Sequence, residues 1–288
     1  MIVYREGHGL EDLQACVDLQ VETWGYDPTD IMPRKAFLVM QKAGGQVIGA
    51  FDTELERAGT SGGAVEVNGA GMSADSMVGF ALSLPGLKGG EKFVDGKPRA
   101  YLHSHMLAVK DGYRNRGIGA QLKLEQRNEA LARGIQHMEW TFDPLEIKNA
   151  FLNIHKLGAV VCHYRENFYG VSSSRLQGGL PTDRLLAEWH LSSERVKSIL
   201  TGHWAAARPI EERITVPASI YEWKAAEQYR DRALAVQLEN RHRFQQAFSR
   251  GLAVLGFERD AEGNGVFELG TPTWREEGIQ TLQGTVDL

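Results

Sequence analysis

The chain has 288 residues, 42% of them hydrophobic and 24% charged, with a formal net charge of -5. This is enough apolar sequence for a sizeable core in one large domain or two ordinary ones, and it excludes disorder as the default state. The acidic balance argues against a general nucleic-acid binder. Two cysteines, Cys16 and Cys162, stand far apart, so neither a disulfide scaffold nor a cysteine metal centre is expected, and a reducing cytoplasmic setting fits. No apolar signal region opens the sequence and no run approaches membrane-spanning length, so no membrane partner is expected.

In chain order, "MIVYRE" reads as a strand, and Leu10, Leu13, Val17 and Val21 recur at helical spacing after it. "GYDPTDIMP" breaks that helix, and "RKAFLVMQKAGG" is a short second helix closed by glycine. "QVIGAF" is a strand, and the Gly/Ala/Ser-rich stretch from Asp52 to Asp75 reads as a surface loop or hairpin extension. "SMVGFALSLPG" is a strand ended by Pro85 and Gly86, and "GLKGGEKFVDGKP" is a polar loop. There follow strand "AYLHSHMLAV", helix "GAQLKLEQRNEALARG", strand "HMEWTFDP", helix "LEIKNAFLNIHKLG" and strand "AVVCHYRENFYG". Beyond Val171 a Ser/Gly linker leads to strand "DRLLAEWHL", helix "SSERVKSIL", a strand near "RITVP", one long helix from Tyr221 to Arg250 and a hairpin turning at "EGNG".

The stretch "MLAVKDGYRNRGIGAQLKL" carries the chemistry. An apolar strand meets a basic turn with Gly117 and Gly119, and a helix opens there. Free N–H groups and the positive end of the helix dipole make such a place an anion site. A P-loop would need Gly-Lys followed by Ser or Thr, but Ile118 follows Gly117; a dinucleotide fingerprint would need a third glycine where Leu122 stands. What remains is Arg-x-x-Gly-x-Gly at Arg114, Gly117 and Gly119.

That motif resembles the central motif of the GNAT superfamily of acyl-CoA-dependent N-acetyltransferases, and the element order from Ile2 to about Gly170 resembles it too. The resemblance implies an α/β fold of mixed α+β type: a twisted mixed sheet flanked by helices, in a domain over 1–170. A C-terminal α/β extension over 171–288 would complete the sheet or the substrate pocket. It implies that acetyl-CoA or another acyl-CoA is the co-substrate, held by Arg114, Asn115, Arg116, Gly117, Ile118 and Gly119. The pantetheine arm would pair with the backbone of Leu107, Ala108 and Val109 between two splayed strands, 100–109 and 137–142. Asn149 and Asn153, four apart on one helix, would reach the pantetheine amides or the substrate; their other reading is a solvated polar face.

The reaction implied is direct attack of a primary amine, from a small molecule or an amino acid, on the thioester. His103, His105, Leu107 and Val109 are expected to share one strand face. His105 falls where many relatives carry a glutamate base, and an imidazole titrating near pH ~6.5 suits that task; a core or substrate-contact histidine is its equal alternative. Glu139 is a second candidate base. Where many members place a tyrosine acid, this chain has Ile154, so Tyr164 and Tyr169 are the substitutes, with aromatic packing as their other reading. Trp24 and Arg184 are candidate substrate-binding residues, Arg184 for a carboxylate, with a salt bridge to Asp183 or Glu188 as its other reading. No ligand set completes a metal site around His103 and His105. An amino-acid N-succinyltransferase using succinyl-CoA and a non-catalytic CoA-binding regulator stay open. So does the role of the long C-terminal helix, as a cap on the sheet or as a contact in a homodimer.

Overall fold

The computed structural model describes residues 1–55, 72–88, 98–202 and 209–272. Most of the loop expected between Asp52 and Asp75, and the centre of the "GLKGGEKFVDGKP" loop, lie outside them. The fold is mixed α/β, with helices and strands in the order the sequence suggests. The strands are β1 (Ile2–Glu6), β2 (Gln46–Asp52), β3 (Met77–Lys88), β4 (Arg99–Val109), β5 (His137–Phe142), β6 (Val160–Arg165), β7 (Arg184–His190), β8 (Glu212–Val216), β9 (Ala253–Arg259) and β10 (Gly265–Gly270). The helices are α1 (Gly9–Trp24), α2 (Arg34–Lys42), α3 (Ile118–Ala132), α4 (Ile147–Ala150, continued as a π-helix over Phe151–Lys156), α5 (Glu194–Leu200), α6 (Ile220–Ala225) and α7 (Arg230–Ser249). No helix among the described residues is long and apolar enough to cross a membrane.

The chain forms two compact units. The first takes the described residues within Met1–Pro85, Leu102–Ile135 and Ser173–Arg175; the second takes those within Gly86–Tyr101, Gln136–Ser172 and Leu176–Leu288. In the first unit the strand order is β1-β2-β3-β4, with β1–β2 and β2–β3 antiparallel. β2 is buried along its whole length because both its faces are covered. Val47 and Phe51 join Phe80 and Met106 against Leu13, Cys16, Leu19 and Phe37 of α1 and α2. Ile48 and Ala50 join Val78 and Ala81 against Ile118 and Leu122 of α3. Each buried Phe or Leu here contributes about 1.5–3 kcal/mol. α1 stops at Gly25, whose φ of 62° lets its N–H return to the Val21 carbonyl.

The second unit runs β5-β7-β6-β9-β10-β8, with each of these neighbours paired antiparallel. β7 lies between β5 and β6, so a cut at 170/171 would part it from both neighbours. Trp189 of β7 is fully buried, donates Nε1–H to the Leu157 carbonyl at 2.7 Å and meets Trp140 edge-on.

Several expectations are corrected. β3 does not end at Pro85–Gly86 but continues to Lys88. Gly86 serves a close approach there, since a Cβ on it would run into the Tyr101 ring. The Ser/Gly linker is pinned rather than free. Ser173 Oγ donates to Asp30 and accepts the Asp27 N–H, and the Arg175 N–H reaches the Trp24 carbonyl. The long C-terminal helix is two helices, broken where Ala226 is extended at φ -117°. Tertiary contact wins over helix propensity at this break, for Lys224 is drawn inward between Asp143 and Glu146, 2.8 Å from each.

Candidate functional site

The turn after β4 is built from both ends. The Lys110 N–H donates to the Val78 carbonyl at 2.9 Å, and Asp111–Tyr113 form one 3-10 turn. The Tyr113 hydroxyl donates to Asp52 at 2.7 Å. Burial pushes the Asp52 carboxyl up, but the Glu54 N–H, the Tyr113 hydroxyl and the terminal ammonium outweigh it and hold it below the usual range. Arg114 folds back on its own turn: Nε donates to the Val109 carbonyl at 3.2 Å, and Nη2 lies 2.7 Å from Asp111. The Arg116 guanidinium sits over the Tyr113 ring at 5.1 Å.

Asn115 at φ 62° and Gly117 at φ 82° then take two left-handed steps that aim the chain into α3. No side chain caps that helix, and its first turn has no acidic residue. The first helical bond runs from the Gln121 N–H to the Gly117 carbonyl at 3.0 Å. The N–H groups of Ile118, Gly119 and Ala120 thus precede any helical acceptor and share the positive end of a 15-residue helix. The turn is exposed from Arg114 to Gly117, and Ile118 anchors it in the core. Two arginines, an uncapped N-terminus and a glycine with open space above it are groups that can meet an oxyanion.

On β4 itself the expected shared face is corrected. Ser104 Oγ accepts from Lys123 Nζ at 2.7 Å and donates to Gln126 at 2.8 Å, both on α3. Leu107 and Val109 also pack with Ile118 and Leu122 of α3. Residues 104 and 107 cannot both face one helix in a strictly alternating strand, so the alternation slips by one between them. His103 and His105 stay together, with ring centroids 6.1 Å apart, on the side opposite Ser104. Burial, and then the His103 charge, pull the His105 imidazole down to about 4 rather than the 6.5 expected. Ala108 is buried against the α1–α2 cluster, which Trp24 also joins while stacking on Tyr26 at 5.5 Å.

In the second unit the candidates part company. Asn149 is exposed while Asn153 is 1% exposed with Nδ2 unpartnered among the described residues, so the two do not present one polar face. The π-helical turn that begins at Phe151 is what separates them. The Tyr164 hydroxyl donates to Asp183 at 2.6 Å, and burial, followed by that carboxylate, pushes its pKa up. Asp183 is in turn gripped by Arg241 at 2.9 and 3.0 Å. Tyr169 is exposed, its hydroxyl 2.8 Å from Thr141 Oγ1. Arg184 makes neither expected salt bridge. It donates to the Asp183 carbonyl and to Gln177 and lies 5.3 Å from the Tyr169 ring.

Glu139 is buried in an ion pair with Lys88. Directly across from it on β7 stands Glu188, and across from His137 stands His190. The sequence reading missed this grouping. Its signal was present as His-x-Glu in "HMEW" and Glu-x-His in "EWHL", mirror images that antiparallel pairing superposes. Among the described residues no group of three or more His, Cys, Asp or Glu is placed to hold a metal ion.

The chain matches no family model and no curated protein. Among solved structures it is similar to Arabidopsis thaliana NAA60 in complex with a bisubstrate analogue, at 15% identity over 66% of this chain and 98% of that one, with a TM-score of 0.47. It is similar to the Escherichia coli ribosomal-protein-S18-alanine N-acetyltransferase at 16% identity, over 67% and 96% of the two chains, with a TM-score of 0.44. The aminoglycoside 6'-acetyltransferase type Ii is similar at 15% identity, over 67% and 99%, also with a TM-score of 0.44.

Proposed function

We propose that this chain is an acyl-CoA-dependent N-acyltransferase, with acetyl-CoA as the simplest donor and a primary amine of a small molecule or amino acid as acceptor. The observation that supports it most is the uncapped start of α3, where Gly117 at φ 82° and the first-turn N–H groups lie open beside Arg114 and Arg116. These residues fit the phosphates of CoA: N–H donors and guanidinium groups answer oxyanions, and no carboxylate occupies the helix start. When bound, the thioester supplies an activated acyl carbon and a good leaving group.

The protein has three tasks. Arg114, Arg116 and the Ile118–Ala120 N–H groups bind and orient. The backbone of Leu107 to Val109, at the end of the strand feeding the turn, offers donors for a polarised carbonyl. His105, neutral at all pH values well above 4, offers a ring nitrogen as acceptor for an amine N–H. An imidazole held so low is a poor final store for the proton, so His105 acts by passing it onward. In balance, an N–C bond forms, the C–S bond breaks, and the amine proton leaves with the thiol or the solvent.

A thiol-release assay with acetyl-, propionyl- and succinyl-CoA against amines and both L- and D-amino acids tests the reading. Turnover with one donor and one amine class supports it and chooses between acetyl and succinyl transfer. Ile154 is buried where many GNAT enzymes place a tyrosine acid, which favours one other reading, a CoA-binding regulator. Saturable CoA binding with no transfer to any amine selects that reading. Absence of CoA binding removes both.

A further inference from the structure

Ser173–Arg175 belong to the first unit although the chain on both sides of them belongs to the second. They form a strap bound to the end of α1 and to the segment after it. Ser173 donates to Asp30 through its N–H at 3.1 Å and its hydroxyl at 2.5 Å, and accepts the Asp27 N–H at 3.0 Å. The Arg175 N–H donates to the Trp24 carbonyl at 3.0 Å, and its Nη2 donates to the Glu22 and Thr23 carbonyls at 2.7 and 3.2 Å. α1 has no basic residue in its last turn, so Arg175 supplies from a distant part of the chain the cation that a helix C-terminus favours. The same Nη2 lies 3.8 Å from Asp111 Oδ2, while Asp111 Oδ1 pairs with Arg114 Nη2 at 2.7 Å. One carboxylate thus stands between an arginine of the basic turn and an arginine of the strap. The side chains of Arg114, Asp111 and Arg175 are 38%, 61% and 53% exposed, so packing locks none of them in its present pairing.

We propose that Arg175 is a positioning residue of the turn: when a phosphoryl group reaches Arg114, Asp111 moves its pairing from Arg114 to Arg175, and the strap tightens on the Trp24–Asp30 segment. The inference deepens the acyltransferase reading and rests on it, because it needs an anion at the turn. Arg114 has its charge answered by Asp111 and its Nε turned to the Val109 carbonyl. A phosphoryl group beside Arg114 repels that carboxylate and competes for the same guanidinium with more charge and more acceptor oxygens. Asp111 already has Arg175 within 4 Å on its other oxygen.

Arg175 is equipped to receive it. A guanidinium offers five N–H donors in a planar fork, and the α1 carbonyls take those of Nη2, which leaves Nε and Nη1 for a carboxylate. Holding Asp111 as well as the α1 carbonyls fixes the guanidinium from two sides, and with it the backbone bonds that the strap makes to Trp24 and Asp27. Trp24, stacked on Tyr26 at 5.5 Å, lies in the segment so held. Occupancy of the turn is thereby tied to the order of a loop that carries a residue put forward for the acceptor.

The test is a double-mutant cycle on the full chain with Asp111→Asn, Arg175→Met and both together, at physiological salt so that distant charges are screened. Each is titrated calorimetrically with inorganic pyrophosphate and with CoA. Amide exchange at Asp27 and Arg175 is followed by NMR with and without the anion. Arg175→Met should weaken both anions by about two- to fivefold when Asp111 is present, the range an exposed ion pair produces, and leave them unchanged in the Asp111→Asn background. Saturating anion should slow exchange of the Asp27 and Arg175 N–H groups in the native chain. In Asp111→Asn the strap bonds persist, so exchange in the free protein should match the native chain, while the slowing on binding should vanish. Equal weakening by Arg175→Met in both backgrounds means that Arg175 acts by its own charge alone and overturns the proposal. Exchange unmoved by bound anion overturns it as well. Either result with CoA bound sinks only this inference, whereas absence of CoA binding sinks the acyltransferase reading and this inference with it.

Discussion

Gly117 is the place where the turn can be altered without disturbing anything beneath it. Its φ of 82° lies in the left-handed region, and a Cβ built on it meets nothing within 4 Å. A side chain there costs strain and no clash, roughly 1–2 kcal/mol for an L-residue. Gly117→Ala and Gly117→Trp should therefore destabilise the fold alike, lowering Tm by about 2–4 °C per kcal/mol. Gly117→Asn should cost less, since Asn tolerates this conformation. CoA affinity should then separate variants of equal stability. The indole ring of Gly117→Trp stands in the open space before the Ile118–Ala120 N–H groups and should weaken CoA at least tenfold, about 1.4 kcal/mol. Thermal unfolding and calorimetric titration with CoA read the two effects independently. If Trp costs several kcal/mol more than Ala, the space above the turn is not open. If Trp binds CoA as the native chain does, the start of α3 does not hold the phosphates.

Other outcomes follow from the same geometry. Arg114→Glu should weaken CoA by about tenfold or more at low salt and by less at high salt, because the exposed turn is screened; titration at two ionic strengths reads this. His105 has a depressed folded pKa of about 4 against 6.5, so its contribution is present above pH 6.5 and lost as pH falls through 4. His105→Gln should accordingly gain about 2 kcal/mol over the native chain at pH 5 and nothing at pH 8, measured by urea unfolding. Glu188 has the opposite sign. Its folded pKa of about 7 lies above the ordinary 4.5, so its contribution is full below pH 4.5 and lost as pH rises through 7. Glu188→Gln should stabilise by about 3 kcal/mol at pH 8 and little at pH 4.5. Lys224→Met leaves Asp143 and Glu146 without their shared cation and should cost about 3–5 kcal/mol in the same measurement.

What the sequence discloses is what neighbours in the chain decide. The strand, turn and helix start around Arg114–Gly119 are legible because its glycines, its arginines and the helix it opens are contiguous, and the helix start needs no distant partner to leave its N–H groups open. The order of elements is legible for the same reason, being written in local periodicity. The departures occur where a distant residue intervenes. Gly86 reads as a strand stop until the Tyr101 ring is placed against it. The helix from Tyr221 to Arg250 reads as continuous until Asp143 and Glu146 claim Lys224. On β4 the alternation holds until Ser104 and Leu107 must both meet α3.

The buried carboxylates show the same limit at the level of the site. Glu188 reads as an ion-pair partner for Arg184 because the two stand four apart in a charged segment. On a strand that spacing puts them about 13 Å apart along one face, beyond pairing distance, and Arg184 turns instead to Gln177 and the Tyr169 ring. Glu139 and Glu188 are nearly fifty residues apart, and nothing local says that β7 slots between β5 and β6. Once it does, antiparallel register sets His137 against His190 and Glu139 against Glu188. No single-strand pattern rewards that arrangement, because facing like charges are a cost in a sheet. Lys88 answers one of the two carboxylates. The other is answered differently: burial moves Glu188 toward its protonated form, and His163 Nε2 stands 3.7 Å from its Oε1.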